Sequence, residues 1–294
     1  EIGCGDGFFL NQLTKYAIHG IGYDPSAACD RAMKYEKLDI YKEIFLPNKS
    51  SFNNADFFVL RHVLEHLENP TKFLTSLANN NSSNTSSQYL YIEVPNAKFC
   101  MENNMYFDFY YDHIFYFNKF TLSKILSNSG WSPLYNIFGD DNEFLGIVSK
   151  KKQSKIIDEL HYPFDSKYIP LAKRFKKGFN FWKEKLLEIL SEINNSKKTF
   201  AIWGTGARGV SLLSNIDLNI YKPSYFIDSD PNKIGLFPPV GNEKIVSPDY
   251  IEKNPVDYIL ITSFTFFDEI SNSLNNYKND GGRLIKIYPT PETI

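Results

Sequence analysis

The sequence predicts an α/β protein made of two similar units that follow each other along the chain. Two observations predict this class. Short apolar segments alternate with helical patterns in residues 1–151, and again in residues 197–294. In both regions a glycine-rich turn is followed by a helix and a strand that ends in an acid, the pattern of a doubly wound sheet. We therefore expect two α/β domains with these limits, joined by a helical connector at residues 152–196.

The elements of the first unit follow from apolar runs, helical periodicity and turn residues. A helix begins at the turn, Pro70 suits the first turn of a later helix, and Gly130 ends the last one. The predicted helices are residues 8–16, 27–36, 70–78 and 122–129. The predicted strands are residues 20–24, 39–46, 56–60, 89–94, 131–138 and 144–149, the last two as an antiparallel pair. Residues 79–88 are expected to be a polar loop.

The glycine-rich turn of the first unit is the most informative feature. It reads Glu1-Ile2-Gly3-Cys4-Gly5-Asp6-Gly7, and Asp24 follows at the tip of the next strand. Glycine lets the backbone turn tightly and approach a ligand closely, and a strand-end acid can bind the hydroxyls of a ribose. Only two residues precede the turn, whereas a strand has about five. There is also no initiating Met, so we expect an N-terminally truncated chain whose first strand is incomplete.

The second unit begins after a long amphipathic helix at residues 168–194. Its apolar stripe recurs at spacings of three and four: Leu171, Phe175, Phe179, Trp182, Leu186, Leu190 and Ile193. The predicted strands are residues 199–203, 225–228, 257–262 and 283–288. Gly204-x-Gly206-x-x-Gly209 follows the first of them and opens a helix, which fits a nucleotide-binding fingerprint. Arg208 would add a cation for a pyrophosphate, and Asp228 ends the next strand. The alternative is a Rossmann-like scaffold whose glycines only allow close packing.

The composition argues against several classes of partner. The net charge is −2, which gives no electrostatic case for nucleic acid or an anionic membrane. No apolar run is long enough to span a bilayer. The three cysteines show neither a metal-binding spacing nor a disulfide framework. We expect a cytoplasmic protein without a metal site, and the oligomeric state stays open.

Glu1-x-Gly3-x-Gly5-x-Gly7 with Asp24 resembles motif I of the class I S-adenosylmethionine (SAM) methyltransferases. Three further segments make most of the chain similar to the sugar C-methyltransferases that act on nucleotide-linked ketosugars: RHVLEHL at 61–67, FDFYYDHIFYF at 107–117, and the C-terminal WGTGARG at 203–209 with DSDPNKIG at 228–235. The resemblance implies two Rossmann-like domains, SAM in the first and a nucleotide sugar in the second. It also implies a role in deoxysugar biosynthesis and a zinc module upstream of the expected truncation.

The resemblance also suggests site residues. In that family a Tyr-His-Glu-His segment lies beside the substrate, and its last His is the proposed base. Here Tyr110 and His113 match, Asp112 is a shorter acid, and Tyr111 replaces the inner His. The family's His after the fourth strand corresponds to His66. The family's Gly-Gly-Ser stretch is replaced by residues 141–143, and an adenine-binding acid after the third strand is missing.

These residue types suit the implied chemistry. A carbon nucleophile requires removal of a proton next to a carbonyl, and a neutral His can remove it. Tyr110 or His66 can donate to the enolate oxygen, and Asp112 can orient His113. Beside Glu1, the three glycines and Asp24, we expect Arg61 and His62 to line the SAM pocket, and Gly204, Gly206, Arg208 and Asp228 to bind the substrate nucleotide. Two alternatives stay open: O- or N-methylation of a sugar or other small molecule, and a SAM-binding protein without turnover.

Overall fold

The computed structural model describes most of the chain: residues 1–16, 18–48, 55–79, 88–109, 111–152, 166 and 168–294. Tyr110, most of the predicted polar loop and the first part of the predicted connector lie outside the described residues. The α/β class is confirmed, with parallel strands flanked by helices.

The chain forms two compact units. One consists of residues 1–100 and 112–165, and the other of residues 101–111 and 166–294. Residues 101–111 therefore group with the second unit although they lie within the first predicted domain. The long connector helix also groups with the second unit. The predicted domain limits stay a prediction.

The sheet of the first unit combines parallel and antiparallel strands. Its strands are β1 (Gly20–Tyr23), β2 (Leu38–Tyr41), β3 (Phe57–Arg61), β4 (Tyr89–Pro95), β5 (Trp131–Gly139) and β6 (Phe144–Lys151). β1 pairs with β2 and β3 pairs with β4, both parallel, whereas β6 lies antiparallel between β4 and β5. Ile2 forms parallel bridges with Tyr23 and Leu60, and thus links β1 to β3. The carboxyl ends of β1, β3 and β4 meet at one edge, where a doubly wound sheet binds ligands.

Five helices accompany this sheet: α1 (Phe8–Leu13), α2 (Cys29–Ala32), α3 (Pro70–Asn79), α4 (Ala97–Glu102) and α5 (Lys119–Asn128). The structure shortens the predicted 27–36 helix to the four residues of α2 and adds α4, which the sequence did not predict. The core joins apolar residues of β3, β4, β6, α3 and α5. Trp131 is fully buried in this core, and its indole N–H donates to the carbonyl of Leu74 at 3.1 Å.

The second unit has a six-stranded sheet in the order β12-β11-β10-β7-β8-β9. Its strands are β7 (Phe200–Trp203), β8 (Phe226–Ile227), β9 (Ile245–Val246), β10 (Tyr258–Ile261), β11 (Arg283–Lys286) and β12 (Glu292–Thr293). All are parallel except β12, which is antiparallel to β11. Its helices are α6 (Tyr168–Asn195), α7 (Ala207–Leu213), α8 (Tyr250–Lys253), α9 (Phe267–Ser273) and α10 (Asn275–Asn279).

The long helix α6 packs in this unit through part of its predicted stripe, since Trp182, Leu186, Leu190 and Ile193 are buried. The Trp182 indole donates to the carbonyl of Ile287 at 2.7 Å. Trp182, Phe175 and Phe179 also surround the ring of Tyr106. Tyr106 is therefore part of the hydrophobic packing of α6. Within the described part of the chain, no helix has the length and apolar character needed to cross a membrane.

Candidate active site

The turn between Glu1 and α1 forms a backbone cradle at the carboxyl edge of the first sheet. Gly3, Gly5 and Gly7 all have positive φ, at 74°, 54° and 74°. A Cβ on Gly3 would lie 2.3 Å from Val63 Cγ2, and one on Gly7 would lie 2.8 Å from Ala32 Cβ. Gly5 has no neighbouring atom within 4 Å of its Cβ position. The cradle is therefore open at Gly5, where the backbone can approach a ligand.

Asp24 follows β1 and holds the cradle in shape. Its Oδ2 accepts the N–H of Gly5 and its Oδ1 accepts the N–H of Ser26, both at 2.8 Å. Although burial favours the neutral acid, hydrogen bonds from Ser26 and Gly5 hold the pKa of Asp24 below its usual value. The acid is thus ionised at neutral pH beside an open glycine. These features fit a ribose hydroxyl pair on Asp24 and the remainder of SAM over the glycines.

Arg61, at the end of β3, connects two acids at the same edge. Its Nε donates to Glu93 Oε1 at 3.0 Å, and its Nη1 lies 3.9 Å from Glu1 Oε1. The guanidinium lies 4.4 Å from the ring centroid of Phe9. Glu93 faces Arg61 across the parallel β3–β4 pair and also accepts the hydroxyl of Tyr91 at 2.6 Å. Hydrogen bonds from His62, Tyr91 and Arg61 outweigh burial and lower the pKa of Glu93 to about 2.

His62 adopts a backbone conformation that is unusual for a residue with a side chain, with φ at 53°. Such residues cluster at functional sites because the surrounding structure must hold them there. Its Nε2 lies 3.4 Å from Glu93 and its Nδ1 lies 3.7 Å from Glu65. These two carboxylates raise the pKa of His62 to about 9 despite partial burial. His62 is therefore a cation at neutral pH, which favours an electrostatic role over that of a base.

His113 is brought beside His66 by three hydrogen bonds that fix the residues around it. The N–H groups of Ile114 and Phe115 donate to the carbonyl of Glu65 at 2.9 and 3.1 Å. Nδ1 of His66 lies 2.8 Å from the carbonyl oxygen of Asp112, so this nitrogen is the protonated one. The two imidazole rings meet edge to face, with centroids 4.8 Å apart. Nε2 of His66 is therefore the ring nitrogen that does not face the carbonyl of Asp112.

Glu65, His66 and His113 form a compact group in which the candidate ligand atoms lie within 4.8 Å of one another. The carboxylate of Glu65 is buried, His66 is exposed and His113 is half-buried. Burial lowers the pKa of His113, so the ring is neutral at neutral pH and can accept a proton. The side chain of Asp112 is exposed, and Asp112 contacts His66 through its backbone carbonyl. Tyr110 lies outside the described residues.

The second unit contains a comparable glycine turn after β7. Gly204 has φ at 110°, and a Cβ there would lie 2.2 Å from Ser263 Oγ, whereas Gly206 has no neighbouring atom within 4 Å of its Cβ position. Asp228 follows β8 and accepts the N–H and hydroxyl of Thr205. Hydrogen bonds from Lys233 and Thr205 overcome burial and lower the pKa of Asp228 to about 2. The turn and the acid thus repeat the arrangement of Gly5 and Asp24.

Arg208, in the first turn of α7, is paired within the second unit. Its Nε lies 3.0 Å from Oδ1 of Asp108, whose side chain is buried. The guanidinium also lies 5.2 Å from the ring centroid of Phe107 and 5.9 Å from that of Phe264. The hydroxyl of Ser211 donates to the carbonyl of Phe109 at 3.0 Å. Arg208 and Ser211 therefore connect residues 107–109 to α7.

The sequence predicted Asp24, the three glycines, Arg61, His62, His66 and His113 as site residues. In the structure Asp24, Arg61 and His62 lie at the carboxyl ends of β1 and β3, and His113 lies beside His66. The sequence did not single out Glu65 or Glu93. Glu65 stands between His62 and His66 in the sequence, but the local sequence does not indicate that an acid in a short turn is buried. Glu93 could have been found from the parallel register that pairs it with Arg61.

Comparison with known families identifies both parts of the chain. Residues 1–136 match the family described as a methyltransferase domain, and residues 159–289 match the family described as the C-methyltransferase C-terminal domain. The protein is a SAM-dependent methyltransferase. SAM is accordingly its cofactor, which confirms the prediction from the glycine turn and Asp24. No curated protein sequence matches the chain.

Several solved methyltransferases are similar to the chain over about half of its length. The 1,6-didemethyltoxoflavin-N1-methyltransferase of Burkholderia thailandensis is 12% identical, with a TM-score of 0.40 over 51% of this chain and 69% of its own. A SAM-dependent methyltransferase from Archaeoglobus fulgidus is 21% identical, with a TM-score of 0.37 over 51% and 84%. The plantazolicin methyltransferase BpumL is 18% identical, with a TM-score of 0.40 over 52% and 75%.

Proposed function

We propose that the enzyme methylates a carbon next to the keto group of a nucleotide-activated sugar. The observation that carries this proposal is the neutral, half-buried His113 beside His66, on the same unit as the SAM cradle. Transfer to an oxygen or nitrogen can proceed with positioning alone, whereas transfer to carbon requires a base. The match of residues 159–289 to the C-methyltransferase C-terminal domain supports a carbon acceptor.

SAM supplies a methyl group on a positively charged sulfur, which is already a strong electrophile. His113 takes the proton from the sugar carbon, and the electron pair of that C–H bond forms an enolate. His66 lies next to His113, and its ring or the hydroxyl of Tyr110 is the proposed donor to the enolate oxygen. The carbon of the enolate would then take the methyl group as the bond between that group and the SAM sulfur breaks, which leaves the demethylated cofactor neutral. His113 would then release its proton to water.

The second unit is proposed to bind the nucleotide portion of this substrate. The turn that begins at Gly204 is open at Gly206, where a pyrophosphate could approach the backbone. Asp228 lies at the end of the neighbouring strand, as a ribose site requires. Arg208 would add positive charge next to that turn. Its ion pair with Asp108 would orient the guanidinium rather than consume it, since a guanidinium has five N–H donors.

The proposal is tested by incubating the protein with isotopically labelled SAM and a panel of nucleotide ketosugars, with mass spectrometry locating the methyl group. A second measurement isolates the proton transfer. In deuterated water with the demethylated cofactor, the enzyme should exchange the hydrogen of the acceptor carbon without any methylation. His113→Ala should abolish this exchange and lower turnover by roughly 10²–10⁴ while SAM still binds.

Specific outcomes would reject the proposal. A methyl group found on oxygen or nitrogen, with no exchange at carbon, would replace carbon methylation by the simpler transfer. SAM binding without turnover on any member of the panel would favour a binding protein. Undiminished exchange by His113→Ala would place the base elsewhere.

A further inference from the structure

Glu65 carries a buried carboxylate whose position the proposed reaction does not yet explain. Its side chain is only 1% exposed. Neither carboxylate oxygen has a hydrogen-bond partner among the described residues, and Nδ1 of His62 lies 3.7 Å from Oε1, beyond hydrogen-bond distance. Burying an acid without hydrogen bonds is costly, so such groups call for an explanation in function or in a missing partner.

The backbone around Glu65 fixes this carboxylate next to His113. Glu65 belongs to a 3₁₀ turn at Leu64–His66, and its own carbonyl accepts the N–H groups on the far side of His113, from Ile114 and Phe115. A carboxylate oxygen of Glu65 lies within 4.8 Å of a ring nitrogen of His113. Nδ1 of His113 is buried, so the other ring nitrogen is the one that a substrate reaches.

We propose that Glu65 is the positioning residue of His113: its carboxylate orients the imidazole and stabilises the cation that forms when the ring takes the substrate proton. This inference rests on the proposed function. The proton moves from the sugar carbon to the outer nitrogen of His113, and Glu65 stays ionised throughout. Burial keeps His113 neutral before the reaction but penalises the imidazolium afterwards, so a nearby negative charge lowers the barrier. Asp112 is the less suitable acid because its side chain is exposed.

Among the described residues, four nearby titratable side chains affect the charge of His113. Glu65 and Asp112 favour the imidazolium, whereas His66 and His62 oppose it. The cationic His62 next to Glu65 also bears on a second interpretation, in which Glu65, His66 and His113 hold a divalent cation. A cation there would meet the positive charge of His62 at close range. Proton handling is therefore the interpretation that the charges favour, and metal binding becomes an outcome of the test.

The experiment compares Glu65→Gln, which keeps the shape and removes the charge, with Glu65→Asp, which keeps the charge. Glu68→Gln, at an exposed acid two residues beyond the same turn, is the matched control. NMR titration of ¹⁵N-labelled histidine should show a lower pKa for His113 in Glu65→Gln. The acid limb of the pH profile of kcat should move to lower pH. The value of kcat should fall about 10²-fold, which is the cost of a misplaced catalytic group. SAM affinity should be unchanged, and Glu65→Asp should recover part of the loss.

The inference is overturned if His113 titrates alike in both variants and the wild type, since a role in folding alone would not alter that titration. It is also overturned if elemental analysis finds one bound metal per chain that Glu65→Gln loses. Circular dichroism identifies a variant that fails to fold, in which case Glu65→Asp provides the titration. Failure of the proposed function gives a different result, because turnover would then survive His113→Ala while the coupling between Glu65 and His113 persists in the titration.

Discussion

Asp24 performs two tasks with one carboxylate, and its substitution separates them. It accepts the N–H groups of Gly5 and Ser26, and its proposed ligand is the ribose of SAM. Asp24→Ala should weaken SAM binding by about 1.5–3 kcal/mol, the range for hydrogen bonds to a charged group. Calorimetric titration with SAM measures this change.

Two further variants make the test of Asp24 specific. Asp24→Asn keeps the shape and one acceptor, so it should fall between Asp24→Ala and the wild type. Asp30→Asn changes an exposed acid that pairs with Lys42 on the surface, and it should bind SAM as the wild type does. Equal affinity for Asp24→Ala and the wild type would remove the ribose from this residue.

His62 predicts a particular dependence of stability on pH. Its pKa is raised from 6.5 in the free side chain to about 9 by the nearby carboxylates of Glu65 and Glu93. A raised pKa means that the folded state binds the proton more tightly, so this stabilisation is complete below pH 6.5 and is lost as pH rises through 9. His62→Gln should therefore lower Tm most near pH 6, with the difference closing above pH 9.

Glu93, the partner of His62, should show the opposite dependence of stability on pH, which gives an internal check. The pKa of Glu93 is lowered from 4.5 to about 2, so its contribution is complete above pH 4.5 and is lost as pH falls through 2. Thermal melts of the wild type and of His62→Gln from pH 5 to 10 provide the measurement for His62. A constant difference in Tm across that range would mean that the charge of His62 is not stabilising. His62 is partly exposed, so salt should reduce the effect.

At the scale of elements, α5 has a complete capping box. The side chain of Asn118 accepts the N–H of Thr121, and the hydroxyl of Thr121 accepts the N–H of Asn118, both at 3.0 Å. Asn118→Ala should lower the free energy of unfolding by about 1 kcal/mol, because the backbone N–H of Thr121 loses its acceptor. Urea unfolding measures this loss. Lys119→Ala, at the exposed first residue of the helix, should have a much smaller effect.

Elements with strong local patterns were predictable, and those held by distant contacts were not. The predicted strand at 89–94 agrees with β4, and the predicted helix at 70–78 agrees with α3. Helix α2 is shorter than the predicted 27–36 helix and buries only Cys29 and Ala32. The strand β8 lies within the predicted strand at 225–228, whereas the two-residue strand β9 depends on its pairing with β8, which no local sequence pattern reveals.

On the scale of the molecule, the assignment of residues 101–111 to the second unit could not be read from the sequence. Tyr106 and Phe107 belong to an aromatic run that local pattern treats as one segment with His113. Tyr106 packs on α6, and Phe107 packs on Phe264 and Tyr288, through contacts that are remote in sequence. Asp108 pairs with Arg208 in the same way. The chemical types of the site residues were thus predictable, whereas their partners depended on tertiary contacts.

The whole protein should bind two ligands, SAM and the nucleotide sugar, through different residues. Gly206 has φ at −73°, which any residue adopts, and no atom within 4 Å of its Cβ position. Gly206→Ala should therefore fold as the wild type does. Its methyl group would occupy the space that the proposed pyrophosphate approaches. We expect this variant to raise the KM for the nucleotide sugar and to leave the affinity for SAM unchanged, the signature of a lost binding contact.

Titration of the full chain with nucleoside diphosphates, NAD and SAM tests the same assignment without turnover. A nucleoside diphosphate should bind the wild type with SAM already present, and Gly206→Ala should weaken that binding alone. Gly281→Ser is a suitable control, because Gly281 also has open space at its Cβ position but lies in the turn before β11. Its φ of 93° costs stability, so Tm is measured first and titration follows well below it. Binding of NAD in preference to the diphosphates would assign the turn to a redox dinucleotide. Equal diphosphate binding by Gly206→Ala and the wild type would mean that the glycines of this turn only allow close packing. A ligand bound there could not avoid the added methyl group.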